Sequence, residues 1–173
     1  MMTQAQKGVL AGMAAGLAVT AGTLGPAIAL APGPLVPHDV PPLAFALAWD
    51  TAVVACLAIN IAMIARHRFF TPEDIDGGGL SEGTPRVRLL QSMLQNTLEQ
   101  AVLAIVVHLA WASVMPAGRQ AAVPVAALLF ATGRVLFWRG YARGAPSRAF
   151  GFALTFYPSL VLLALIVGRL VIA

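Results

Sequence analysis

The sequence predicts an all-α integral membrane protein, and three observations carry that prediction. Of the 173 residues, 59% are hydrophobic and only 10% charged, against about a quarter charged in a typical soluble domain. Mean hydropathy is +0.82. The apolar residues also gather into five runs, most of them near the ~20 residues that cross a bilayer as a helix. No strand alternation or internal repeat competes with an all-helical chain. The single cysteine, Cys56, excludes an intrachain disulfide and a cysteine-built metal site. The net charge of +4 comes from arginines at the ends of the runs. It lacks the long basic tract that would imply nucleic acid, so no nucleic-acid partner is expected.

The first span, residues 8–31, is rich in Gly and Ala, and Gly8, Gly12 and Gly16 recur at every fourth position on one helix face. Such a face packs closely against another helix. Lys7 together with Ala27, Ala29 and Ala31 also satisfies the outline of a signal peptide. The length of the run, and Pro32 directly after it, favour a retained helix. The Pro/Gly-rich residues 31–42 are a loop. The second span, 43–65, ends at Arg66-His67-Arg68, and its Asp50 and Asn60 are expected to be satisfied by neighbouring helices. Residues 69–85 form the one extended hydrophilic loop, expected to be mobile and water-facing. Residues 86–115, 123–138 and 149–173 are the remaining spans, with a basic loop at 139–148 before the last.

Motif matches in the 69–85 loop do not survive their context. Gly79-Leu80-Ser81-Glu82-Gly83 spells G-x-S-x-G, but no strand precedes it as a nucleophile elbow requires. Gly77-Gly78-Gly79 lacks the Lys-Ser/Thr of a phosphate loop, and Asp74 and Asp76 lack the later glutamate of a calcium loop. These are read as solvated loop residues. Five spans place Lys7, Arg66, Arg68, Arg86, Arg88, Arg139, Arg143 and Arg148 on one side, against Arg119 and Arg169 opposite. The positive-inside rule makes the richer side cytoplasmic.

The third span carries what the bilayer disfavours. Gln91, Gln95, Asn96, Glu99 and Gln100 lie in its first half, and intramembrane polar groups are costly enough to require a partner or a function. Asn96 and Glu99 are three apart and Gln95 and Glu99 four apart, adjoining positions on one helix face. Glu99 lies eleven residues past Arg88, roughly 16 Å along the helix, in the cytoplasmic half or near the middle. In the fourth span Arg134 shares a stripe with Phe137, Trp138 and Tyr141. Arg134 and Glu99 are natural partners, either as a structural ion pair with the amides as interhelical glue or as parts of a site. The donors Arg134, Arg139, Arg143, Arg148, Tyr141 and Asn96, with one carboxylate for an ammonium, suit a small polyanion bearing an amino group. A thiol bound beside an arginine would also have its pKa lowered. His108 reads as a packing histidine and Cys56 as a small hydrophobe.

Asn96-Thr97-Leu98-Glu99-Gln100 after a hydrophilic loop, then Arg134, Phe137, Gly140-Tyr141-Ala142-Arg143 and Arg148, resembles the MAPEG superfamily. These are the membrane-associated proteins of eicosanoid and glutathione metabolism, including microsomal glutathione transferases and leukotriene C4 synthase. The resemblance covers residues 43–173 as a four-helix membrane domain, with residues 1–42 as an additional N-terminal helix and loop, expected to pack outside that domain through its glycine face. It implies a homotrimer with glutathione, as co-substrate, bound between subunits near the cytoplasmic face. It further implies that Asn96, Glu99, Arg134, Tyr141 and Gln100 bind the ligand and that Arg148 is catalytic, stabilising the thiolate. The family's enzymes commonly have arginine where this chain has Ser92 and an aromatic hydroxyl where it has Phe137; Gln100 stands where Tyr or Asn is frequent.

The expected function is therefore a protein of a bacterial-type inner membrane that binds glutathione or a related thiol and transfers it to a hydrophobic small molecule entering from the bilayer. Two readings from other classes stand beside it. One is a non-catalytic lipid- or partner-binding protein, and the other a small transporter with Glu99 and Arg134 in its path.

Overall fold

The computed structural model describes residues 1–29, 36, 39–78 and 80–172. Most of the expected 31–42 loop, Gly79 and Ala173 lie outside the described residues. Five helices dominate: α1 (Gln4–Ala29), α2 (Pro42–Phe69), α3 (Pro85–Val114), α4 (Ala122–Tyr141) and α5 (Ala145–Ile172). Short 3-10 turns at Pro72–Asp74 and Ala117–Arg119 join α2 to α3 and α3 to α4. Each of the five spans is long and apolar enough to cross a membrane. The chain is thus a multi-pass integral membrane protein, because only helices and closed barrels satisfy every backbone group within hydrocarbon.

Contacts along the helices fix their directions. Between α2 and α3, Asn60 Nδ2 donates to Thr97 Oγ1 at 3.3 Å, and His108 Nδ1 meets Asp50 Oδ1 at 2.5 Å. Numbers rise along one helix as they fall along the other, so the pair is antiparallel. The polar interruptions Asp50, Asn60 and His108 therefore make interhelical contacts, while Asp50 Oδ2 and Asn60 Oδ1 have no partner among the described residues. Helices α4 and α5 approach through small residues, since a Cβ at Gly133 would lie 2.7 Å from the Gly151 carbonyl oxygen. Helix α1 lies parallel to α5. A Cβ at Gly8 would stand 2.9 Å from that of Pro146, one at Gly12 2.9 Å from that of Ala149, and Gly16 faces Ala153. The N-terminal ends of α1, α3 and α5 consequently share one end of the bundle with Arg66, Arg68 and Arg139. At the other end Leu24, Trp111, Val123 and Leu162 form a buried cluster. The α3–α4 turn there is closed by Trp111 Nε1 donating to the Arg119 carbonyl at 3.0 Å.

Helix ends depart from expectation where charge and proline signal a loop. The basic loop expected at 139–148 is only 142–144, because α4 continues through Tyr141 and α5 begins at Ala145. Gly144, at φ +97°, makes the turn that a side chain would strain. Pro146 sits in the first turn of α5, where a missing N–H costs nothing. Arg148 is thus a helical residue.

The α2–α3 connection also corrects the sequence reading, since Asp74 is not a solvated loop residue. It is 1% exposed. Its Oδ1 accepts from the Thr84 amide at 2.8 Å, and its Oδ2 accepts from Thr84 Oγ1 at 2.6 Å and lies 2.9 Å from His67 Nε2. Thr84 caps α3 in turn, accepting from the Val87 amide at 3.3 Å. Burial pushes the Asp74 carboxyl up, but the Thr84 hydroxyl and amide and His67 outweigh it and hold it below its ordinary value. These donors tie the connection to both helices, so it is pinned at its centre. Ser81 is exposed, in an isolated bridge with Gly78 and not on a strand-to-helix turn.

Candidate functional site

Arg134 anchors the polar centre of the bundle. It is 0% exposed, and its two terminal nitrogens donate to Asn96 Oδ1 at 2.9 Å and Thr155 Oγ1 at 2.5 Å. The guanidinium carbon stands 4.4 Å from the Phe137 ring centroid and 5.6 Å from that of Phe130, near enough for cation–π attraction. No carboxylate pairs with it among the described residues. The expected Arg134–Glu99 pair is thus absent among the described residues, because Arg134 points between α3 and α5 while Glu99 projects outward. Glu99 is exposed, and its Oε1 accepts from Gln95 Nε2 at 2.8 Å one turn away.

Asn96, fixed by Arg134, opens onto a cleft of about 320 Å³, at the lower end of the range for small-molecule sites. Tyr141 and Arg148 supply the other polar groups of its lining. The Arg148 guanidinium carbon lies 4.2 Å from the centroid of the Tyr141 ring, so the ring orients the cation. Tyr141 packs edge-on against Phe137 at 5.1 Å. The N-terminus of α5 lies on the same cleft through Ala145 and Ala149, adding the positive end of a helix dipole. With Arg134 behind Asn96, the cleft is positive, has hydrogen-bond donors and contains no carboxylate in its lining. Such a lining favours an anion.

Of the residues singled out from sequence, the structure brings Asn96, Tyr141 and Arg148 to one cleft and places Arg134 one layer behind. Glu99 and Gln100 do not line it. Gln100 is buried, with its Oε1 unpartnered among the described residues. Ser92 donates its hydroxyl to the Arg88 carbonyl at 3.0 Å, within its own helix. Residues not singled out are Thr155, which holds Arg134, and Val9, Met13 and Phe152, which complete the apolar wall. Thr155 carries no sequence signal of this role, because a lone hydroxyl on an apolar helix ordinarily bonds its own backbone. It does that too, donating to the Phe152 carbonyl at 2.8 Å.

Comparison with the curated proteins and with the solved structures returns no match. The family model for the MAPEG family matches residues 43–168, from the start of α2 nearly to the end of α5. The helices that carry Asn96, Arg134, Tyr141 and Arg148 all lie within that match, and the chain belongs to the MAPEG family.

Proposed function

We propose that the cleft binds glutathione or a closely related thiol and presents it to a hydrophobic electrophile arriving from the bilayer. The observation that carries this reading is the meeting of Asn96, Tyr141 and Arg148 on one positive cleft, with Arg134 holding Asn96 in place. Arg148 and the amide of Asn96 offer the donors that carboxylates of a peptide thiol need. Arg148 also favours the thiolate over the thiol, which is the activation step for a sulfur nucleophile. The sulfur then bonds to the electrophilic carbon. The thiol proton goes to solvent, and the leaving group departs or, in an addition, the adjacent carbon takes a proton.

In this reading Glu99, exposed on α3, serves a site shared between protomers. An exposed carboxylate on a membrane helix is costly, and a second copy covering Gln95 and Glu99 removes that cost and supplies an acceptor for the ammonium of the ligand. This supports an oligomer with the ligand at the subunit boundary, and the family resemblance makes it a homotrimer. The end of the bundle that holds Arg66, Arg68, Arg139 and Arg148 faces the cytoplasm in a bacterial-type inner membrane by the positive-inside rule.

The test is titration of the purified protein with glutathione, following thiolate absorbance, then addition of a chromogenic electrophile. Binding with turnover is expected, and Arg148→Ala is expected to lower the thiolate signal and turnover by about tenfold or more, the worth of one charge-assisted hydrogen bond. Full thiolate formation and turnover in Arg148→Ala would overturn the assignment. Two observations favour a second reading, a non-catalytic binder of lipid-like ligands: Phe137 and Phe152 bring no hydroxyl to the cleft and Ser92 is turned to its own helix. Uptake of a fatty acid without thiol binding would select that reading.

A further inference from the structure

We infer that α1 is a wall of the ligand cleft and defines its second substrate as one with an apolar body, which lies between Val9 and Met13 of α1 and Phe152 of α5. The inference rests on the thiol reading above. Val9 and Met13 line the same cleft of about 320 Å³ as Asn96, Tyr141 and Arg148. The polar lining comes entirely from α3, α4 and α5, and α1 contributes only apolar side chains. The cleft therefore combines donors and a cation that suit an anionic head with an α1 surface that shields an apolar group from water.

The glycine row sets this geometry. Without side chains at Gly8 and Gly12, the α1 backbone approaches α5 so closely that a Cβ at either would come within 2.9 Å of Pro146 or Ala149. That approach carries the neighbouring Val9 and Met13 to the rim beside Arg148. Leu10 and Leu17, on the remainder of α1, are 55% and 50% exposed, so the wall is continuous with a lipid-facing surface. A ligand dissolved in the bilayer reaches the cleft past the edge of α1. The family match begins at residue 43, so this wall is an addition of this chain to the matched helices.

The experiment uses single-cysteine variants of the full chain in a Cys56→Ala background. Met13→Cys reports the α1 wall, Phe152→Cys the opposite wall and Leu10→Cys the lipid-facing side. Each is labelled with N-ethylmaleimide with and without S-hexylglutathione, whose binding is measured separately by equilibrium dialysis. At about ten times its dissociation constant the ligand is expected to slow labelling of Met13→Cys and Phe152→Cys by about tenfold and to leave Leu10→Cys unchanged. Met13→Trp, at a position that crowds the cleft and not the core, is expected to lower the affinity for S-hexylglutathione relative to glutathione by about tenfold, the worth of about two methylenes losing contact. Protection at Phe152→Cys without protection at Met13→Cys, or an unchanged affinity ratio in Met13→Trp, overturns the α1 wall and leaves the thiol reading standing. Failure of both glutathione and S-hexylglutathione to bind the unsubstituted protein overturns the thiol reading and this inference with it.

Discussion

Arg134 is a buried cation without a carboxylate partner among the described residues, and two opposing terms decide what its removal does. Losing its hydrogen bonds costs stability, but relieving the desolvation of a buried charge returns it. Thr155 keeps the Phe152 carbonyl and Asn96 opens onto the cleft, so neither is left orphaned. Arg134→Met is therefore expected to change unfolding free energy by less than about 1 kcal/mol while weakening thiol binding about tenfold or more through the loss of Asn96 orientation. Thermal unfolding and equilibrium dialysis on the same preparation check the two halves. Asp74 gives a prediction in pH. Its carboxyl is held below the ordinary value of 3.8, so the stability it confers is present above that value and is lost as pH falls through the lowered one. Amide exchange of residues 70–84, corrected for intrinsic rates, is expected to stay constant from neutrality to about pH 4 and to rise below it. Asp74→Asn should show the raised exchange already at neutral pH.

At the scale of elements, the docking of α1 depends on the absence of side chains. Leucine at Gly12 would meet Ala149 and the Phe150 backbone nitrogen at 2.9 and 3.0 Å from its Cβ alone, and backbone cannot give way. Gly12→Leu is expected to weaken the α1–α5 contact by about 1–3 kcal/mol, the usual cost of overpacking. Hydrogen exchange measures this directly: α1 should exchange faster while α2 and α3, which share none of that contact, stay as they were. The existence of all five helices was legible in the sequence because the bilayer demands long apolar runs. Their ends were less legible. Arg139, Tyr141 and Pro146 carry loop signals, yet basic residues suit the last turn of a helix and proline suits the first. The glycine face of α1 was legible as a packing surface, but not its neighbour, since every helix in the chain offers small residues.

At the scale of the whole molecule, Glu99 and Gln95 remain on an outward face of α3, which a single protomer in lipid would leave uncompensated. Native mass spectrometry of the purified protein is expected to give three copies, and Glu99→Ala to reduce the share of that species. A single copy would remove the role proposed for Glu99, and two copies would overturn the trimer. The sequence by itself determined the membrane class, the five spans and the polar stretch around Asn96 on the third of them; the family resemblance singled out Tyr141 and Arg148 from the wider donor set, and with them Glu99 and Gln100, which do not line the cleft. The class, the spans and that stretch follow from local rules, namely hydrophobic run length, helical spacing and the cost of polar groups in hydrocarbon. Only the tertiary structure decided which partner each polar group takes: Arg134 with Asn96 and Thr155, Asp50 with His108, Asp74 with Thr84 and His67. The physical reason is that burial requires a polar group to be satisfied but does not say by whom, and partners 21, 38 or 58 residues apart are joined by helix packing and not by sequence spacing.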